Sequence, residues 1–180
     1  MHLCDCNVYF IHTELQFIKS VSSTGTSLVD ITNIFTDKYD VYCIKSTTFE
    51  IVGSASQNLY RRLLDSTGTV ISATEYKSAT LEGRAWDSGF LESRSNGQNY
   101  MATSGYINDN STEGVGFVQY IYNPYDSSSY TFSQTQSSSW NDNSSRGLVM
   151  RKGISSHYNA ERVTGIRYYV ASGTFTFEAS

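Results

Sequence analysis

The chain is short of proline, of charge and of cysteine, and each shortage narrows what it can be. A single proline, Pro124, in 180 residues excludes collagen-like, polyproline and Pro-rich linker architectures. Charged residues make up 17% of the chain, below the usual quarter, and the formal net charge is -4. A phosphate-reading surface needs Lys and Arg gathered on one side, so no nucleic-acid partner is expected. The cysteines number three, Cys4, Cys6 and Cys43; residues two apart in an extended segment rarely meet disulfide geometry, and an odd count leaves one over. No secretory signal is visible, so assembly in a reducing cytoplasm is expected. The apolar runs are broken every few residues and none has the length of a membrane span, so no membrane insertion is expected. No segment sustains a 3.6-residue apolar period, which removes the argument for long helices.

What the chain does have is aromatic and hydroxyl-bearing residues. Aromatics reach 14%, with Tyr 14 and Phe 9, in a background rich in Ser, Thr and Asn that suits strands with hydroxylated faces. Short alternating runs separated by turn residues recur along the chain: Leu15–Val21, Leu28–Ile31, Val41–Val52, Leu59–Leu64, Thr69–Thr74, Tyr100–Ile107, Val115–Tyr122, Tyr130–Gln136 and Gly147–Arg151. Asp65-Ser66-Thr67-Gly68 reads as a hairpin turn, with further turns at Gly105, Asn108–Asn110 and Asn141–Asn143. The last two runs bracket Ser172-Gly173. Ile166, Tyr168 and Val170 share one face of the first, and Phe175 and Phe177 share one face of the second. That pattern predicts a terminal core hairpin. The expected fold is all-β: an antiparallel sandwich of about ten strands over residues 15–180, forming one domain, with residues 1–14 as an anchoring or flexible N-terminal segment.

Several of these runs together carry a family resemblance. Phe17-Ile18-Lys19-Ser20, the run Thr24–Ile31, and Asn33-Ile34-Phe35-Thr36-Asp37-Lys38-Tyr39-Asp40-Val41-Tyr42 resemble the opening of small bacteriophage virion proteins, in which a Ser/Thr-rich turn and a short strand lead into an extended YD-x-Y strand. Leu63-Leu64-Asp65, Ile121-Tyr122-Asn123-Pro124, Val163-Thr164-Gly165-Ile166-Arg167 and Ser172-Gly173-Thr174 continue the resemblance in order over residues 15–180. The first fourteen residues and the terminal Glu178-Ala179-Ser180 depart from it. The resemblance implies a jelly-roll-like structural protein of a tail fibre, appendage or capsid surface, located in the virion and assembled in the host cytoplasm. It also implies docking on other virion proteins, here through residues 1–14, and a homo-oligomer, most simply a homotrimer.

Chemistry-bearing residues are sparse. Asp37 and Asp40 flank Tyr39, but Lys38 and the turn residues around them fit a loop. His2, His12 and His157 are scattered, and no serine sits in a nucleophile-elbow context, so no catalytic residues and no enzyme activity are expected. His2, Cys4, Cys6 and His12 lack paired zinc-ligand spacing, and Asn108–Glu113 and Asn141–Ser144 lack a full calcium-loop pattern. No metal and no cofactor are expected. Recognition is more plausible at the aromatics: Trp86 between Arg84 and Asp87, and Trp140 beside Asn141, both read as lying in loops, pair ring faces with polar groups as a glycan-binding surface requires. Tyr120, Tyr122, Tyr125 and Tyr130 form a tyrosine-rich stretch of the kind enriched at subunit interfaces. Two functions follow: a non-enzymatic virion knob contributing to host attachment, or a free-standing carbohydrate-binding module with a host-surface glycan as partner.

Overall fold

A computed structural model describes residues 15–52, 57–107, 115–140 and 147–180, and these described residues form twelve β-strands and no helix. In order they are β1 (Val21–Thr26), β2 (Leu28–Ile31), β3 (Val41–Val52), β4 (Gln57–Asp65), β5 (Tyr76–Arg84), β6 (Phe90–Gln98), β7 (Met101–Ile107), β8 (Gly116–Tyr122), β9 (Thr131–Trp140), β10 (Leu148–His157), β11 (Val163–Tyr169) and β12 (Thr174–Ala179). All pairings are antiparallel. An eight-stranded sheet runs β1-β12-β3-β8-β9-β10-β5-β6 and faces a four-stranded sheet β2-β11-β4-β7. With the β9–β10 hairpin and the flanking β1 and β12 set aside, the remaining eight strands divide equally, in the orders β2-β11-β4-β7 and β3-β8-β5-β6. The all-β sandwich is as expected, with twelve strands in place of about ten.

The core lies between the sheets and is built from alternate residues. Phe49 and Ile51 of β3, Leu59 and Leu63 of β4, Phe117 and Ile121 of β8, and Ile166 and Tyr168 of β11 are all buried, as are Phe175 and Phe177 of β12. Five aromatic rings form its centre, with Phe49 4.9 Å from Phe175, Tyr168 5.1 Å from Phe177 and Phe117 5.6 Å from Tyr168. Aromatic pairs of this kind contribute beyond their buried area.

The terminal pair is not a hairpin. β11 belongs to the four-stranded sheet and β12 to the eight-stranded one; Gly173, in the left-handed region at φ 76°, helps turn the chain from one layer to the other. Both apolar faces point inward, as the alternation requires, and they meet across the sandwich. Other boundaries also move. Leu15–Ser20 is irregular, and Thr69–Thr74 supplies only the isolated bridge Leu64↔Val70. The turn at Asp65–Gly68 forms, with the Gly68 N–H donating to the Asp65 carbonyl at 3.0 Å, but it leads into that bridge rather than a second strand. Gly105 lies inside β7. β1, β5 and β6 were not expected: apart from Val21 and Tyr76 at the strand starts, their inward positions hold mainly Ser, Thr and Glu, so no apolar alternation marks them. Residues 1–14 and the loops Asn108–Asn110 and Asn141–Asn143 lie outside the described residues.

Candidate functional site

The β9–β10 hairpin wears its polarity inside out. On β9 the buried positions are Thr131, Ser133, Thr135, Ser137 and Ser139, while Phe132 and Trp140 point outward, 47% and 43% exposed. On β10, Leu148, Met150 and Ile154 point outward, and Val149, Ser155 and His157 inward. A sheet packed on a core normally does the reverse, and a one-residue slip of register would restore the usual order.

The register is held by an arginine. Arg61 of β4 enters the sandwich opposite this hairpin and is 1% exposed. Its Nη1 donates to the Ala102 carbonyl at 3.1 Å and to Thr103 Oγ1 at 2.9 Å, and its Nη2 donates to Ser133 Oγ at 2.9 Å and Ser155 Oγ at 2.6 Å. Ser133 and Ser155 also bond each other at 2.7 Å. No carboxylate pairs with Arg61 among the described residues, and burial lowers its guanidinium pKa to about 10, so it stays charged at neutral pH. A buried cation must be met by hydrogen-bond acceptors. The hydroxyl face of the hairpin supplies them, and the apolar residues of the same strands, Val149 apart, are therefore turned to the outside.

The ladder places those outward residues on one surface. Leu148 lies opposite Trp140, Met150 opposite Ser138, Lys152 opposite Gln136 and Ile154 opposite Gln134. Across β5, Met150 faces Gly83, and Gly83 faces Phe90 of β6, which is 66% exposed. Across β8, Tyr120 faces Gln134 and Tyr122 faces Phe132. The centre of this face is concave because Gly116 and Ser138, paired with each other, raise almost nothing above the sheet. The resulting groove has a volume of about 620 Å³ and is walled by Tyr120, Gln134, Gln136, Met150, Lys45 and Lys152. Its charged lining residues are two lysines, with no carboxylate.

No family model, curated protein or solved structure matches this chain.

The residues expected to act in recognition fall into three groups. Trp140 is the last residue of β9 rather than part of a loop, and its ring lies over Gly147, where an added Cβ would sit 3.5 Å from the ring. Trp86 follows β5 at the same end of the sheet, since Ala85 N–H donates to the Leu148 carbonyl and Leu148 pairs with Trp140. Arg84 stacks over the Trp86 ring at 5.6 Å and its Nε donates to Glu82 at 2.8 Å, while Asp87 caps the tip by accepting from the Gly89 N–H at 3.3 Å. Asn141 lies outside the described residues. Of the tyrosines, Tyr120 and Tyr122 lie on the outer face, and Tyr130 is exposed with its ring 6.4 Å from Phe132. Tyr125 instead packs against the core beneath Arg162, at 4.6 Å.

Sequence reasoning missed two features. The outer face of the four-stranded sheet carries a cluster in which Tyr60 lies 4.5 Å from Tyr100 and 5.6 Å from Tyr169, with Arg62 4.9 Å over the Tyr169 ring. At the far end of the large sheet, His157 Nε2 lies 3.2 Å from Glu75 Oε2 and 3.4 Å from Glu161 Oε1. The spacing His157-x3-Glu161 was the available signal. It carries little weight in a strand-to-loop segment, and Glu75 arrives from a distant part of the chain.

Proposed function

We propose that this chain is a non-enzymatic bacteriophage virion structural protein, a surface knob of a tail fibre, appendage or capsid that contributes to host attachment. The observation that carries the reading is the inverted β9–β10 hairpin. Trp140, Leu148, Met150, Ile154, Phe132 and Phe90 make an apolar outer face that a lone soluble domain rarely displays, and such faces mark protein-protein contacts. The occupant that fits is a second copy of the chain, in a homotrimer, with Tyr120 and Tyr122 at the margin of the contact. Residues 1–14 would then anchor the knob to neighbouring virion proteins, leaving the loops at the Trp86 end to face the host. The test is the solution mass of the purified chain by light scattering, with and without residues 1–14. A trimer in both forms supports the reading; a monomer in both overturns the self-association. In phage particles, deletion of residues 1–14 should abolish incorporation while the domain stays folded, and retained incorporation would remove the anchoring role.

A second reading rests on the groove. An aromatic platform at Tyr120, amides at Gln134 and Gln136, and Lys45 and Lys152 without an opposing carboxylate suit an acidic sugar, in a carbohydrate-binding module. A glycan array favours it if uronic- or sialic-acid glycans bind and the Lys45→Ala, Lys152→Ala double variant does not. Binding that is indifferent to those lysines counts against it.

A further inference from the structure

We propose that Glu75, His157 and Glu161 form a binding site for one first-row divalent transition-metal ion, of the Zn²⁺ or Mn²⁺ class. Glu75 immediately precedes β5, while His157 ends β10 and Glu161 follows it by four residues in the segment leading to β11, so two distant stretches of the chain converge. Their donor atoms all lie within 4.8 Å of one another. Donors held about 2.0–2.2 Å from a shared ion are separated from each other by roughly 3.0–3.5 Å at tetrahedral or octahedral angles, and the two imidazole-carboxylate separations are 3.2 and 3.4 Å.

The electrostatics ask for a cation. Neither Glu75 nor Glu161 pairs with a lysine or arginine among the described residues; their ion-pair contacts there are to His157 alone. Two carboxylates this close repel unless a positive charge lies between them. His157 is fully buried, 0% exposed, with its ring 5.2 Å from that of Tyr76. A metal ion held at the Nε2 lone pair, between the two carboxylates, supplies that charge.

A second observation concerns the other face of the ring. His157 Nδ1 is buried without a partner, and so is the hydroxyl of Thr131, the residue directly across the β9–β10 ladder. Cross-strand neighbours have Cβ atoms about 5 Å apart. The Nδ1–H tautomer leaves Nε2 free to ligate and turns its N–H to the side of the ring where the partnerless Thr131 is the cross-strand neighbour, in the place of the outer-sphere acceptor that ligating histidines usually have. Glu75 and Glu161 are 30% and 32% exposed, so ions enter from solvent and water completes the coordination. Imidazole with two carboxylates favours a borderline transition ion over Ca²⁺ or Mg²⁺, which prefer all-oxygen sets.

The experiment is calorimetric titration of the chelator-stripped full chain with ZnCl2 and MnCl2, with CaCl2 for comparison, and X-ray absorption at the zinc edge to identify donor atoms. The expected result is one equivalent bound through nitrogen and oxygen, with affinity reduced roughly tenfold or more in both Glu75→Gln and Glu161→Gln. Because these two side chains are part-exposed and keep their shape as amides, the variants are expected to fold, which circular dichroism verifies. Absence of stoichiometric binding overturns the proposal and leaves an ion pair at His157. Sulfur in the coordination shell overturns it too, placing the ion on Cys4, Cys6 or Cys43, as does binding unchanged in both glutamine variants.

Discussion

Ile154→Asp tests the outer face most directly. Ile154 projects from the middle of β10, 61% exposed, between Gln134 of β9 and Ala79 of β5. Complete burial of an aliphatic side chain contributes about 1.5–3 kcal/mol. Covering the exposed fraction of Ile154 in a subunit contact is therefore worth about 1.5 kcal/mol. An aspartate there removes that term and leaves a carboxylate to be desolvated, at a further cost of about 2 kcal/mol or more. The sum, about 3.5 kcal/mol or more per interface, weakens each contact by a few hundredfold or more. A trimer has three such contacts, so the variant should be monomeric at micromolar concentrations. The domain itself should change little, because the side chain is in solvent in the isolated chain and the strand-propensity difference is at most about 1 kcal/mol. Light scattering over a concentration series reports the mass, and urea denaturation reports the fold. A trimer that survives Ile154→Asp with an unchanged dissociation midpoint would refute the argument that the inverted hairpin is the contact surface.

Other predictions concern the interior and the loops. Gly165→Ala should destabilise the sandwich by about 2 kcal/mol or more in urea denaturation, because an added Cβ would lie 2.5 Å from the Ile31 carbonyl oxygen and 3.1 Å from Thr32 Cα, backbone atoms that cannot swing aside; a smaller loss would mean that β2 shifts freely against β11. Stability should fall as pH rises above about 10. Burial raises the phenol pKa values of Tyr76 and Tyr168 above the ordinary 10.0, so the unfolded chain releases those protons first and the stabilisation present below pH 10 is lost. Arg61 opposes this, since its pKa lowered to about 10 means that its burial penalty relaxes over the same range; two phenols against one guanidinium leave a net loss. A denaturation midpoint that climbs between pH 9 and pH 11 would contradict that balance. Trp86→Ala should reduce adsorption to host cells if the loops at that end of the sheet face the host, and unchanged adsorption would assign the ring to packing.

How much was legible in the sequence depended on how local the cause was. Val41–Val52 was read with both ends correct because it has a long apolar period of two and turn residues before it. The inward faces of Ile166, Tyr168, Phe175 and Phe177 followed from alternation alone. Twelve strands, all antiparallel, agree with the aromatic and β-branched composition and with the single proline. β5 and β6 escaped because they form the outer wing of the large sheet, beyond most of the four-stranded layer, where β6 is largely exposed and needs no apolar face.

Sheet membership, register and side-chain convergence were decided only by the tertiary structure. Ser172-Gly173 is compatible with a hairpin or a crossover, and the choice was made by partners far away in sequence: β12 pairs with β1 and β3, and β11 with β2 and β4. On the β9–β10 hairpin, period-two alternation identifies two faces without saying which is inside. Arg61, more than seventy residues earlier, settles it by requiring Ser133 and Ser155 as acceptors. The meeting of Glu75 with His157 has the same origin, a pairing of Tyr76 with His157 across β5 and β10. Alternation is a property of neighbouring residues and so is written in the chain; which face is buried, and what meets there, depends on contacts between segments that only the folded sandwich brings together.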